Sequence, residues 1–208
     1  MRLIRKLCGM RHADNIRRAE HLDLDWMGFI FWSGSKRYVG ERIAYVPERV
    51  CPIGVFVNAD IDEILAAVAA NRLGGVQLHG AETADFCRRL RNRLPDGVLT
   101  IKAIAISGAE DAQRASAYDE SVDYLLFDTR CSGYGGSGCA FDWSVLDAYV
   151  GNTPFLLSGG IGIDSVDALH RFSHPRLAGI DINSRFELEP GVKDIDLVAD
   201  FFNQISNL

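Results

Sequence analysis

Two side chains of the kinds that exchange protons, Cys8 and Asp128, each close an apolar run of the sequence. Cys8 ends Leu3–Cys8 and Asp128 ends Tyr124–Asp128. A thiolate can act as a base where nearby positive charge or a helix end lowers its pKa. A carboxyl group raised by burial can act as an acid. Taken singly, Cys8 reads as a small buried core residue, and Asp128 as a cap on the loop after it. That loop carries Gly133-Tyr134-Gly135-Gly136-Ser137-Gly138. Glycines there let backbone N–H groups approach an anion, or let a lid hinged near Gly135 and Gly136 close. A flexible linker is the plain alternative.

Phosphate chemistry is suggested twice. Ser158-Gly159-Gly160 and Asp181-Ile182-Asn183-Ser184 each follow an apolar run. The amides of Gly159 and Gly160, with the start of a short helix at Asn183 and Ser184, suit a phosphate group, and Asp181 stands at the head of that second loop. A tight turn is the competing reading of the glycine pair. Arg37, beside Tyr38, offers a guanidinium fork for a carboxylate, although a lone arginine is often only a solvated charge. His79 either meets substrate hydroxyls or satisfies its own loop. His12, His21, His170 and His174 read as structural, and Asn58 or Asp60 reads as a helix N-cap. A phosphate site, an arginine and a Cys8–Asp128 pair together point to proton transfer on a phosphosugar.

The elements that would position these residues recur along the whole chain. Buried-strand patterns cover Leu3–Cys8, Trp26–Phe31, Ile53–Val57, Val76–His79, Leu99–Ala105, Tyr124–Asp128, Phe155–Ser158 and Ala178–Ile182. Amphipathic helical windows such as Asp60–Arg72, Thr83–Leu94 and Ile195–Ile205 lie between most of them, with Glu41–Val46 and Trp143–Tyr149 as short ones. Repeated βα units without a compositional break predict one α/β domain over residues 1–208, a (β/α)8 barrel of the TIM type. A doubly wound open sheet is the alternative. In the barrel, the C-terminal strand ends share one mouth, where Cys8, Arg37, His79, Asp128, Gly159, Gly160, Asp181, Asn183 and Ser184 all fall.

Composition narrows the class. The chain has 208 residues, 48% of them hydrophobic, and a formal net charge of −6. That charge argues against nucleic acid or an anionic membrane as partner. No apolar run approaches the roughly 20 residues that span a bilayer, and the start does not read as a signal peptide, so a cytoplasmic protein is expected. The five cysteines form no C-x-x-C pair and have no histidine at ligand spacing, which predicts reduced thiols and no metal site. Apolar helix faces serve cores and dimers alike, so a homodimer stays open.

At this point the chain resembles the phosphoribosylanthranilate isomerase family. The resemblance rests on Lys6-Leu7-Cys8-Gly9, Trp26-Met27-Gly28-Phe29-Ile30-Phe31, Ser35-Lys36-Arg37-Tyr38-Val39, Gly54-Val55-Phe56-Val57-Asn58-Ala59 and Val76-Gln77-Leu78-His79-Gly80. It continues through Phe127-Asp128-Thr129, the glycine-rich run from Gly133, Phe141-Asp142-Trp143, Ser158-Gly159-Gly160 and Pro190-Gly191-Val192-Lys193-Asp194. What it implies is a cofactor-free Amadori rearrangement of N-(5-phosphoribosyl)anthranilate in tryptophan synthesis. Asp128 would be the general acid and Cys8 the general base. Arg37 would meet the anthranilate carboxylate, and the Gly159-Gly160 and Asn183-Ser184 loops the phosphate. Two stretches depart from the family pattern: Arg185 stands where many members have glycine, and Thr129-Arg130-Cys131-Ser132 replaces a lysine-bearing run. Rivals are a sister isomerase of histidine synthesis, which uses a carboxylate at the first strand, and a non-catalytic phosphosugar-binding barrel lacking the acid–base pair.

Overall fold

Each apolar run becomes a parallel strand: β1 (Ile4–Leu7), β2 (Trp26–Ile30), β3 (Cys51–Phe56), β4 (Gly75–Leu78), β5 (Leu99–Ile106), β6 (Tyr124–Thr129), β7 (Phe155–Ser158) and β8 (Leu177–Ile182). A computed structural model describes residues 2–129 and 142–206 of the chain. The strands close in sequence order, with β8 pairing back onto β1 from Ile4↔Gly179 to Leu7↔Ile182. Closure removes both sheet edges, so the open-sheet alternative falls and the barrel expectation is met. Gly135 and Gly136, together with Cys131 and Cys139, lie outside the described residues.

Strand alternation sorts the side chains into two cores. Trp26, Ile53, Ile101, Ala103, Leu126 and Leu156 fill the barrel interior. Their strand neighbours, among them Met27, Val76, Leu125, Phe127 and Ile180, face outward into the larger core beneath the helices. Those helices are α1 (Ala13–Ala19), α2 (Ile61–Asn71), α3 (Ala84–Arg91), α4 (Ala109–Arg114), α5 (Val166–Arg171) and α6 (Ile195–Gln204). In α6 the spacing of Ile195, Val198, Phe201 and Phe202 makes one buried stripe, and Asp194 caps it by accepting from the Leu197 N–H at 3.1 Å. Toward the C-terminal strand ends the inward positions turn polar, at Cys8, Gln77, His79, Asp128, Ser158 and Asp181.

Two local expectations are corrected, and an open choice of helix cap is decided. Glu41–Val46 forms bends, not a helix. Its backbone is claimed by Asn71, whose Oδ1 accepts from the Ile43 N–H at 2.9 Å and whose Nδ2 donates to the Glu41 carbonyl at 3.1 Å. Pro47 then disfavours helical backbone at Val46. Trp143–Ala148 winds as a 3₁₀ turn capped by Asp142. Asn58 is no helix cap; it adopts φ 52° and its Oδ1 accepts from the Ala81 N–H at 2.7 Å, while Asp60 takes the cap position. After β8 a small antiparallel hairpin, β9 (Glu187–Glu189) with β10 (Val192–Lys193), appears without warning from the sequence pattern. Among the described residues no helix is long and apolar enough to cross a membrane.

Candidate active site

A cavity of about 440 Å³ opens at the C-terminal strand ends. Cys8, His79, Asp128, Gly159, Gly160, Asp181, Asn183 and Ser184 all line it. The structure therefore brings together eight residues that the sequence had scattered over more than 170 positions.

Cys8 hangs from the end of β1, its N–H bonded to the Ile182 carbonyl at 2.9 Å. Its sulfur fits because the neighbouring strand carries Gly28, where a Cβ would stand 2.6 Å from Sγ. Burial pushes the Cys8 thiol up; Lys6 pulls it down, Asp181 pushes it up again, Lys193 pulls it down, and the net shift is upward. The sequence expectation of a thiol depressed by positive charge is thus only half met: the cations are there, but desolvation outweighs them. Lys6, two residues back on the same inward column, donates to Asp181 Oδ1 at 2.7 Å, and Ser158 Oγ donates to Asp181 Oδ2 at 3.1 Å. Burial alone depresses Lys6, yet Asp181 outweighs it with help from Cys8, and the ammonium ends above its ordinary value. Asp181 was expected on the substrate. It lines the cavity, and its carboxylate is engaged there as the counter-ion of Lys6.

Asp128, next to last in β6, lies opposite Ser158 in register. Its Oδ2 lies 3.6 Å from His79 Nε2, and the other ring nitrogen, Nδ1, is 2.8 Å from Gln77 Nε2. Gln77 Oε1 is buried and finds no partner among the described residues. Turning that amide over would give Gln77 Oε1 the His79 Nδ1–H and leave the ring nitrogen His79 Nε2 as the acceptor facing Asp128. The backbone on either side of His79 is clamped by a buried ion pair. Lys102 Nζ donates to the carbonyls of Leu78 (3.3 Å) and Gly80 (2.7 Å) and to Glu82 Oε2 (3.0 Å), which also accepts from the Gly80 N–H (2.9 Å). His79 is thus held at the mouth rather than left to a mobile loop.

The two phosphate-candidate loops meet on one wall. Gly159 has φ +96°, and a Cβ there would strike the Thr129 carbonyl, so only glycine passes. Gly160, at φ +66°, has open space beside it. Ser184 starts a short 3₁₀ turn, Ser184–Phe186, and Asn183 before it is held by Lys193 Nζ, 2.6 Å from its Oδ1. Arg185 lines the same wall and pairs with Asp164 at 2.6 Å.

Arg37 is placed differently from the expectation. It is absent from the lining of the cavity, and the Nε–Nη2 edge of its fork is already filled, at 2.8 and 2.5 Å, by Glu187. Glu187 also accepts from Lys193 Nζ at 2.7 Å. Sequence reasoning passed over Lys6, Gln77, Glu187 and Lys193. Strand alternation from Cys8 and His79 would have found Lys6 and Gln77; no local signal marks the other two. Among the described residues no group of three or more His, Cys, Asp or Glu is placed to hold a metal ion.

With this geometry in hand, comparison with known proteins is specific. The family model described as N-(5'-phosphoribosyl)anthranilate (PRA) isomerase matches residues 5–204. The N-(5'-phosphoribosyl)anthranilate isomerase of Parabacteroides distasonis is 48% identical over 98% of this chain and 93% of its own. A monomeric form of the dimeric phosphoribosylanthranilate isomerase of Thermotoga maritima superposes with TM-score 0.81 at 30% identity, over 99% of this chain and all of that one. A phosphoribosylanthranilate isomerase in complex with reduced 1-(o-carboxyphenylamino)-1-deoxyribulose 5-phosphate does so with TM-score 0.80 at 30% identity, over 99% of this chain and 100% of that one. This chain belongs to the N-(5'-phosphoribosyl)anthranilate isomerase family.

Proposed function

We propose that the chain isomerises N-(5-phosphoribosyl)anthranilate to 1-(2-carboxyphenylamino)-1-deoxyribulose 5-phosphate in tryptophan synthesis, by proton transfer within one cavity. The observation that carries this reading is that Cys8 and Asp128 line the same space, from β1 and β6 on different sides of the barrel, with Gly159 and Gly160 on the wall beside them. Asp128 protonates the furanose ring oxygen as the C1–O bond breaks, and the anilino nitrogen supplies the electron pair that makes the iminium ion. The Cys8 thiolate then removes the C2 proton, whose electron pair forms the enolamine. Protonation at C1 and loss of the hydroxyl proton at C2 give the ketone. Each proton removed is matched by one returned, and no redox partner enters. General acid–base participation of this kind is worth about 10²–10⁴-fold.

Gly159, Gly160, Asn183 and Ser184 hold the phosphate, and Arg37 takes the anthranilate carboxylate on the edge of its guanidinium that Glu187 leaves. His79 holds the carboxyl of Asp128 and the hydroxyls near it. Residues 1–208 act as one isomerase domain in the cytoplasm, and the dimeric relative supports a homodimer. Turnover of phosphoribosylanthranilate, formed in situ from anthranilate, tests the activity. A purified, folded chain without turnover ends this reading.

A further inference from the structure

We propose that Glu187 is a positioning residue, holding the Arg37 guanidinium in the orientation that receives the substrate carboxylate and tying that contact to the phosphate wall. This rests on the reading of Arg37 above. Glu187 opens the hairpin after β8, and its side chain is only 5% exposed. One carboxylate there serves three donor residues: Arg37 through Nε and Nη2 at 2.8 and 2.5 Å, Lys193 through Nζ at 2.7 Å and Gly191 through its N–H at 3.0 Å. Lys193, with a fully buried side chain, passes the connection to Asn183, whose Oδ1 lies 2.6 Å and whose carbonyl lies 3.2 Å from Nζ.

Such a carboxylate cannot step aside for a ligand, because leaving would strand two cations in a poorly hydrated site. An incoming carboxylate therefore has the Nη1–Nη2 edge of Arg37, and Glu187 decides where that edge points. The stem of Arg37 is fixed as well. Gly9, next to Cys8, has φ +78°, and a Cβ on it would stand 2.6 Å from Arg37 Cδ and 2.6 Å from Asn183 Oδ1. The arginine stem and the asparagine amide both rest on the backbone just beyond the proposed base. The aryl-carboxylate end and the phosphate end of the substrate are thereby gauged against one buried carboxylate.

The test uses two stable probes: reduced 1-(o-carboxyphenylamino)-1-deoxyribulose 5-phosphate, and its counterpart in which phenyl replaces carboxyphenyl. Calorimetric Kd values are measured for the unmodified protein, Arg37→Ala, Glu187→Gln and Glu187→Asp, each first checked for cooperative thermal unfolding. The unmodified protein should prefer the carboxylated probe by about tenfold or more, the value of one charged hydrogen bond. Glu187→Gln should reduce that preference to within about threefold, with any weakening of the phenyl probe, passed on through Lys193 and Asn183, smaller than that of the carboxylated probe. Glu187→Asp keeps the charge but shortens the reach, and should lower the preference by the same selective route even where the glutamine variant fails to fold. Equal weakening of both probes, or an unchanged preference, overturns the proposal. No preference in the unmodified protein, or an undiminished one in Arg37→Ala, instead overturns the reading of Arg37.

Discussion

The ammonium group of Lys6 lies 2.7 Å from Asp181 Oδ1, with both side chains buried inside the barrel and Lys6 on the same inward column as Cys8. An ion pair in such a place contributes little net stability, but either half alone is costly. Lys6→Met should therefore destabilise the fold by about 3–5 kcal/mol, the range for breaking a buried pair. Lys6→Met with Asp181→Asn should recover most of it. Activity should not return with stability, because the double variant removes the cation that most strongly favours the Cys8 thiolate. Full turnover in the double variant would reduce the pair to scaffolding.

The thiol itself sets a pH dependence. Burial raises its pKa above the ordinary thiol value, so at neutral pH the free enzyme holds mainly the protonated form. A base is competent only when deprotonated, and kcat/KM reports ionisations of the free enzyme. In Asp128→Asn, which has no titrating acid at that position, log kcat/KM should rise with a slope near one from about pH 6 to 8. Cys8→Ser should lower kcat by about 10²–10⁴. A flat profile together with an active serine variant sinks the assignment of Cys8 as base.

How much of this was legible in the sequence follows from geometry. Residues at strand ends were readable because parallel barrel strands all deliver their last residues to one mouth. That rule brought in Cys8, His79, Asp128 and the two polar loops. Lys6 and Gln77 obey the same alternation but lie one step below the mouth, where a polar residue is not looked for. Glu187 was out of reach for a different reason. Its partner Arg37 is 150 positions away and the hairpin that carries it is three residues against two, too short to show a period. The bends at Glu41–Val46 were misjudged because their partners are distant: Asn71 bonds the backbone at Glu41 and Ile43, and Glu20 accepts from the Tyr45 hydroxyl.

For Asp128, Asp128→Asn keeps the shape but removes the transferable proton. Rapid-mix kinetics should show kcat down by about 10²–10⁴ with KM changed far less. Retention of more than about a tenth of the activity is incompatible with a role as the sole acid.

Arg185 lines the cavity and pairs with Asp164 at 2.6 Å, both half or more exposed, an arrangement worth less than about 1 kcal/mol. Its guanidinium can turn toward a bound phosphate at small cost. Arg185→Gly should raise KM by roughly three- to tenfold at low salt and shrink the difference at high salt, since exposed charges are screened. Identical KM values at both ionic strengths would assign Arg185 to Asp164 alone.

The Arg37–Glu187–Lys193 network also leaves a mark on acid stability. Burial raises the Glu187 carboxyl, but hydrogen bonds from Arg37, Lys193 and the Gly191 N–H overcome it and bring the pKa to about 2, from an ordinary 4.5. A carboxyl depressed on folding contributes stability that is complete above its unfolded pKa and is lost as pH falls through the folded one. The window here runs from about pH 4.5 down to about 2. A shift of that size corresponds to roughly 3 kcal/mol. Glutamine is nearly the shape of a protonated glutamate, so Glu187→Gln imitates at pH 7 what acid does to the native protein. Urea unfolding at pH 7, 4 and 3, with m-values held constant, should show the native protein ahead by most of that amount at pH 7. The two curves should then draw together as the native carboxyl takes up its proton. A gap that stays the same width down to pH 3 would mean that the charge of Glu187 contributes nothing, and that its hydrogen-bonding shape alone holds the two cations.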